Sequence, residues 1–335
     1  MHEQVRQGEP VTPDAPPAAA GRSPRLADRL DGVLFFPVTA YGSDGALDLT
    51  AFRAHVRAGV EAGAAAVFAC CGTGEFHALA PGEFADCVAA AVEEAAERVP
   101  VIAGAGYGTA LAAQFAGLAH EAGADGLLAM PPYLVAAGQE GLLRHYTELA
   151  AATPLPVIVY QRDNAVLTPA SVAALARTEG IIGLKDGIGD LELLQRIIST
   201  VRTDAPDEDF LYFNGLPTAE LTGPAYLGLG VRLYSSAVFA FAPEIALAFH
   251  RALTCGDDDT VQRLTDGFFR PLVDLRNQGH GYAVSLVKAG VRLRGLDVGE
   301  VRAPLCEPAP AHVTELAELI DHGLALVGYP AGDGD

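Results

Sequence analysis

Eight short, continuously apolar runs recur along this chain at intervals of about 25–30 residues, each followed by a longer Ala/Leu/Glu-rich segment. The runs are Val33–Val38, Ala65–Cys71, Pro100–Ala103, Gly126–Met130, Pro156–Tyr160, Ile181–Lys185, Phe210–Asn214 and Val231–Tyr234. A strand buried on both faces reads this way, because neither face alternates with water. The segments between carry helix-start signals: Asp48-Leu49-Thr50, Pro81-Gly82-Glu83, and Thr168-Pro169 with proline at the first helical position. Repeated βα units build either an open doubly wound sheet or a closed barrel. An open nucleotide-binding sheet wants GxGxxG after its first strand, whereas here the first run leads into Phe36-Pro37-Val38-Thr39. Gly104-Ala105-Gly106-Tyr107-Gly108 resembles a phosphate loop but follows the third run and lacks the later spacing. Eight units are what a barrel demands, so residues 28–254 are expected to form an α/β fold, a (β/α)₈ barrel.

Residues 255–328 show helical periodicity over Val261–Leu275, Gly281–Arg294 and Ala311–Val327 and no strand series, which makes them a C-terminal helical extension. Residues 1–25 lack the apolar run and basic lead-in of a secretory signal and read as a disordered leader, and 329–335 as a flexible tail. Half of the 335 residues are hydrophobic, too many for a disordered chain, yet no apolar stretch reaches the about 18 residues of a membrane span. With 22 Lys+Arg against 42 Asp+Glu the chain carries −20, so nucleic acid and anionic lipid are not its partners. An anionic substrate must then be held by a few local donors. The five cysteines, without CxxC spacing, point to a reduced, cytoplasmic chain. The nine histidines show no HExxH or other close ligand spacing, so no metal is expected. His77, just after the second run, reads as loop packing or as substrate-adjacent.

Barrel chemistry sits where the strands end. Lys185 closes the sixth run in Gly183-Leu184-Lys185-Asp186-Gly187. Burial disfavours the charged ammonium, leaving a neutral amine able to attack a carbonyl. Pairing with Asp186, or reaching out to solvent, explains the same lysine as well. Tyr160 closes the neighbouring fifth run, where a phenol can shuttle a proton to a carbinolamine on Lys185; a core tyrosine with a satisfied hydroxyl is the commoner case. After the second run, Gly72-Thr73-Gly74 forms a turn whose N–H groups can converge on a carboxylate, with the Thr73 hydroxyl as a further donor. Glu75 suits a carboxylate that fixes this loop. Cys70 and Cys71 read as small buried apolar residues. Lys288, the only other lysine, lies in the helical extension and is not expected to react.

In this order, Gly72-Thr73-Gly74-Glu75, Tyr160 and Gly183-Leu184-Lys185-Asp186 resemble the dihydrodipicolinate synthase/N-acetylneuraminate lyase superfamily, whose members are Schiff-base-forming TIM barrels acting on 2-oxo acids. The resemblance covers about residues 28–328. Within the superfamily the chain is most similar to the 5-dehydro-4-deoxyglucarate dehydratases. The matching stretches are Phe36-Pro37-Val38-Thr39, Gly72 to Phe76, Arg162-Asp163-Asn164-Ala165, Gly183 to Asp190, and Asn214-Gly215-Leu216-Pro217-Thr218-Ala219-Glu220. Three departures stand out. The synthases carry Thr-Thr in the strand-two loop and use the first in a tyrosine proton relay; that place is Gly72 here. The residue after the strand-five tyrosine is usually asparagine in the dehydratases and is Gln161 here. Synthases place a carboxylate-binding arginine several residues beyond that tyrosine, and here Arg162 is only two on. Synthase specificity is thereby disfavoured, while dehydratase specificity survives.

The resemblance implies a lyase that converts 5-dehydro-4-deoxy-D-glucarate to 2,5-dioxopentanoate, CO₂ and water in sugar-diacid catabolism, without metal or organic cofactor. It implies Lys185 as nucleophile and Tyr160 as proton shuttle, with Gly72, Thr73, Gly74, Arg162 and Ser236 binding substrate, in a homotetramer. Two alternatives remain open. The same residues would serve a pyruvate-dependent class I aldolase, and the barrel could be a catalytically silent sugar-acid binding protein.

Overall fold

The computed structural model describes residues 25–206 and 209–329. Apart from Arg25 and Tyr329, the expected leader and tail lie outside the described residues. Eight strands pair in sequence order and close on themselves: β1 (Val33–Phe35), β2 (Ala66–Ala69), β3 (Val101–Ala105), β4 (Gly126–Ala129), β5 (Val157–Gln161), β6 (Ile181–Asp186), β7 (Leu211–Asn214) and β8 (Leu233–Ser236). The closing pair is parallel, with Leu34 opposite Ser235 and Phe35 opposite Ser236. All eight expected runs become strands, and the open-sheet alternative falls away.

Strand ends moved where backbone chemistry dictates. β1 stops at Phe35, two residues before Pro37, which has no N–H to give a ladder. β2 stops at Ala69 because Cys70 turns into the left-handed region (φ 52°). β8 begins two residues later than expected and takes in Ser235 and Ser236. The helix starts follow their signals: the Asp48 carboxylate accepts from the Thr50 and Ala51 N–H groups (both 3.0 Å), and the Thr168 hydroxyl accepts from the Ser171 N–H (3.2 Å). Caps of this kind contribute about 1 kcal/mol each.

Side chains alternate across each strand. One set, including Leu34, Phe36, Phe68, Ile102, Leu128, Ile158, Tyr160, Phe213 and Leu233, fills the barrel interior. The other packs under the surrounding helices. The short helix Leu26–Arg29 joins the interior cluster through Leu26 and is tied by Arg29 to Asp125 (2.7 Å), whose second oxygen takes the Val101 N–H (2.8 Å). In the C-terminal segment, Asp258–Leu264, a π-helical turn over Thr265–Phe269 and Arg270–Arg276 replace one expected helix, followed by Tyr282–Leu293 and Pro310–Leu326. No helix among the described residues is long and apolar enough to cross a membrane.

Candidate active site

A single inserted residue aims the lysine. Along β5 and β6, Val157 pairs with Ile181, but Ile158 pairs with Gly183, so Ile182 is a bulge. Unbroken alternation with Ile182 facing inward would turn Lys185 outward. The bulge resets the parity, Tyr160 pairs with Lys185, and both point into the barrel. The Lys185 Nζ lies 4.0 Å from the Tyr160 ring centre and 4.9 Å from that of Phe36. Lys185 is 6% exposed and Tyr160 8%. Two glycines make room for them. A side chain at Gly215 would meet the Lys185 Cγ at 2.7 Å, and one at Gly187 would meet the Tyr160 ring at 2.8 Å. The Tyr160 hydroxyl donates to the Gly215 carbonyl (3.1 Å).

Asp186, on the opposite face of β6, is taken up elsewhere. It accepts from Gln161 Nε2 (2.8 Å), the Ile188 N–H (3.1 Å) and the Tyr226 hydroxyl (2.5 Å). Gln161 also accepts the Leu167 N–H (3.3 Å) through its amide oxygen. Gln161 and Asp186 therefore bind the β5 and β6 loops behind the lysine, and the reading in which Asp186 pairs with Lys185 does not hold.

Opposite them, Gly72 and Thr73 line the same pocket, together with Arg162, Leu216, Pro217, Ser235, and Ala283 and Val284 of the C-terminal segment. The turn is closed by Glu75 N–H to the Gly72 carbonyl (3.2 Å) and Phe76 N–H to the Cys71 carbonyl (3.2 Å). The buried Thr39 hydroxyl holds the Gly74 carbonyl (2.6 Å), a task for the Phe-Pro-Val-Thr stretch that sequence reasoning did not assign. Gly74 packs against Cys70 and the Pro37 carbonyl, so it shapes the loop from beneath while Gly72 and Thr73 face the pocket. Arg162 is half-exposed and pairs through Nε with Asp163 (3.0 Å). Burial pulls its guanidinium down, but Tyr160 and Asp163 prevail and hold it charged.

Ser236 is not at the pocket. In β8 the inward positions are Leu233 and Ser235, so Ser236 faces the helices and donates to Glu220 Oε1 (2.5 Å), while its oxygen accepts the Phe239 N–H (3.0 Å). Ser235 takes the place expected for Ser236. Cys71 reaches the interior as a neutral thiol, pushed up to about 12 by burial against the opposing pull of Lys185. Among the described residues no group of three or more His, Cys, Asp and Glu is arranged to hold a metal ion.

Glu220 is fully buried, and burial pushes its carboxyl up to about 7 despite the Ser236 hydrogen bond. A carboxyl with a raised folded-state pKa binds more protons folded than unfolded, so its contribution to stability falls as pH rises towards neutrality. Wild type should therefore lose stability relative to Glu220→Gln between about pH 5 and about pH 8, read as the difference between their urea midpoints. Parallel profiles would show that Glu220 does not titrate in this window.

Glu75 is buried away from the pocket. Its carboxylate accepts from Lys288 Nζ (2.9 Å) and the Arg302 N–H (2.8 Å), and Lys288 also donates to the Glu300 carbonyl (2.8 Å). Both side chains of the pair are completely buried. The lone lysine on the apolar face of Tyr-Ala-Val-Ser-Leu-Val-Lys was the available sequence signal for this contact.

The family model described as the dihydrodipicolinate synthetase family matches residues 29–323. A Streptomyces coelicolor protein described as "Probable 5-dehydro-4-deoxyglucarate dehydratase 1" is 73% identical over 310 residues, spanning 92% of this chain and 98% of its own. Among solved structures, dihydrodipicolinate synthase from Bacillus clausii has a TM-score of 0.79 at 25% identity, covering 90% of this chain and 98% of that one. YagE from E. coli K12, a prophage protein of the dihydrodipicolinic acid synthase family solved in complex with pyruvate, has a TM-score of 0.76 at 26% identity, covering 88% of this chain and 98% of its own.

Proposed function

The chain belongs to the dihydrodipicolinate synthetase family, and we propose that within it the protein is a 5-dehydro-4-deoxyglucarate dehydratase, a decarboxylating lyase of sugar-diacid catabolism. The relative named for that activity, at 73% identity over 92% of the chain, supports the substrate. The observation that carries the mechanism is the buried Lys185 amine, side by side with Tyr160 and facing a pocket that Gly72, Thr73 and Arg162 also line.

The substrate has a 2-oxo-acid end, a neighbouring methylene, two hydroxyl-bearing carbons and a second carboxylate. Lys185 attacks the ketone and water leaves, with Tyr160 passing the proton, to give an iminium. The iminium acidifies the methylene, and proton loss gives an enamine that expels the β-hydroxyl as a second water. The conjugated iminium now accepts electrons from the distal carbon as its carboxylate departs as CO₂. Tautomerisation and hydrolysis consume one water and release 2,5-dioxopentanoate, so one CO₂ and one net water are formed. Lysine supplies the electron sink for both eliminations. Gly72 and Thr73 receive the 2-oxo carboxylate, Gly74 shapes their turn, and Arg162 takes the distal one. The same reading places the enzyme in the cytoplasm, as a homo-oligomer and a tetramer by resemblance.

A guanidinium pairs bidentately with a carboxylate in a way an ammonium does not. Arg162→Lys should weaken diacid binding about tenfold or more, and pyruvate, which lacks the distal carboxylate, less than about twofold. Equal losses for both ligands would remove Arg162 from the distal end. The reading as a whole is tested by incubating the protein with the diacid. CO₂ and 2,5-dioxopentanoate are expected in equal amounts; pyruvate would make it an aldolase, and binding without product a silent barrel.

A further inference from the structure

The loop assigned to the 2-oxo carboxylate runs directly into a buried carboxylate, Glu75. Glu75 follows Gly74 with a left-handed backbone (φ 54°), which turns its side chain away from the pocket, where it is fully buried. In a poorly polarisable interior, a lone carboxylate at that place would repel an incoming anion strongly. Lys288 sits on it at 2.9 Å and comes from the helix Tyr282–Leu293, whose Ala283 and Val284 line the pocket. Burial pulls Lys288 down and Glu75 opposes that pull. The surrounding groups leave the pair to balance itself. Arg302 is paired with Glu83 (2.6 Å), Arg292 with Glu307, and the Tyr41 phenol, pushed up by burial and then by Glu75, is neutral. The Cys87 thiol lies beside Tyr41, and both the Lys288 ammonium and the Arg302 guanidinium rest against the Tyr41 ring, at 4.1 and 4.0 Å.

We propose that Lys288 is a positioning residue for 2-oxo-acid binding: its ammonium cancels the Glu75 charge behind Gly72 and Thr73, and so couples the helical extension to the site of the Schiff base. This rests on the placement of the 2-oxo carboxylate proposed above. A packing role alone predicts a different pattern, because the charges differ in sign and the effect should vanish when both are removed together.

The test uses pyruvate as probe and borohydride trapping on Lys185 as readout, so it does not depend on the dehydratase substrate. In Lys288→Met the half-saturating pyruvate concentration should rise about tenfold or more, because the buried Glu75 carboxylate is left without its partner. The trapping rate at saturation should change less than about threefold, since the lysine nucleophile is untouched. The double variant Glu75→Gln/Lys288→Met, which leaves no unpaired charge, should return to within about threefold of wild type. A folded Lys288→Met with unchanged half-saturation, or a double variant as weak as the single one, overturns the proposal. Should Lys288→Met fail to fold, Glu75→Gln and the double variant decide: Glu75→Gln, which leaves only the positive charge behind the loop, is expected to bind pyruvate at least as tightly as wild type, the double variant within about threefold of it, and a tenfold weakening in either overturns the proposal. Failure of pyruvate to trap on Lys185 in the wild type would instead sink the functional reading itself.

Discussion

Lys185→Arg should reduce turnover of the diacid to the uncatalysed background and abolish borohydride trapping with it. Arginine remains protonated throughout the accessible pH range and offers no free amine, so neither the carbinolamine nor the iminium can form. Among the described residues the pocket lining holds no second lysine amine to form the iminium. Cys71 shares the interior but is held as a neutral thiol by burial, and Lys288 is engaged by Glu75 and the Glu300 carbonyl. The variant should fold, since the lysine is packed against the Tyr160 and Phe36 rings rather than paired with a carboxylate. Pyruvate half-saturation cannot be read in it, so circular dichroism and the urea midpoint serve as the controls for folding. Persistent turnover would mean that the chemistry does not pass through this residue.

Tyr160→Phe should behave differently. The lysine survives, so slow trapping by pyruvate should persist, while diacid turnover falls by roughly 10²–10⁴, the scale of a lost proton shuttle. The ring stays in place against Gly187, and only the hydroxyl bonded to the Gly215 carbonyl at 3.1 Å is removed. That hydrogen bond contributes about 1 kcal/mol of stability, too little to explain a loss of such size through folding. A turnover within tenfold of wild type would make Tyr160 a packing residue whose hydroxyl merely happens to be satisfied, the commoner role for a tyrosine at a strand end.

Much of the architecture was legible because buried parallel strands must be apolar on both faces, and eight such runs admit one closed arrangement. What escaped were features decided by a single residue or by contacts distant in sequence. The resemblance points to Ser236 and Ser235 is the one in the pocket, because neighbouring positions on a strand face opposite sides and a difference of one residue exchanges inside for outside. The bulge at Ile182 works in the opposite direction: simple alternation would have turned Lys185 outward, and only its place at the strand end, with the resemblance, marked it as a candidate. Glu75 was expected to fix its loop, but its partners Lys288 and Arg302 lie more than two hundred residues away, beyond any local pattern. Thr39 belongs to the Phe-Pro-Val-Thr stretch that resembles the family, and its hold on Gly74 is visible only in three dimensions.

The central claim is that Lys185 carries the substrate through loss of both water and CO₂, and one measurement addresses both halves of it. Borohydride is added during turnover of the diacid, the protein is digested, and the modified peptide is identified by mass. The account predicts a reduced adduct on the peptide containing Gly183-Leu184-Lys185-Asp186-Gly187, with a fraction of it at the mass of a five-carbon chain that has lost water and CO₂. An adduct on Lys288, or one of three carbons at Lys185 as pyruvate would leave, would contradict it.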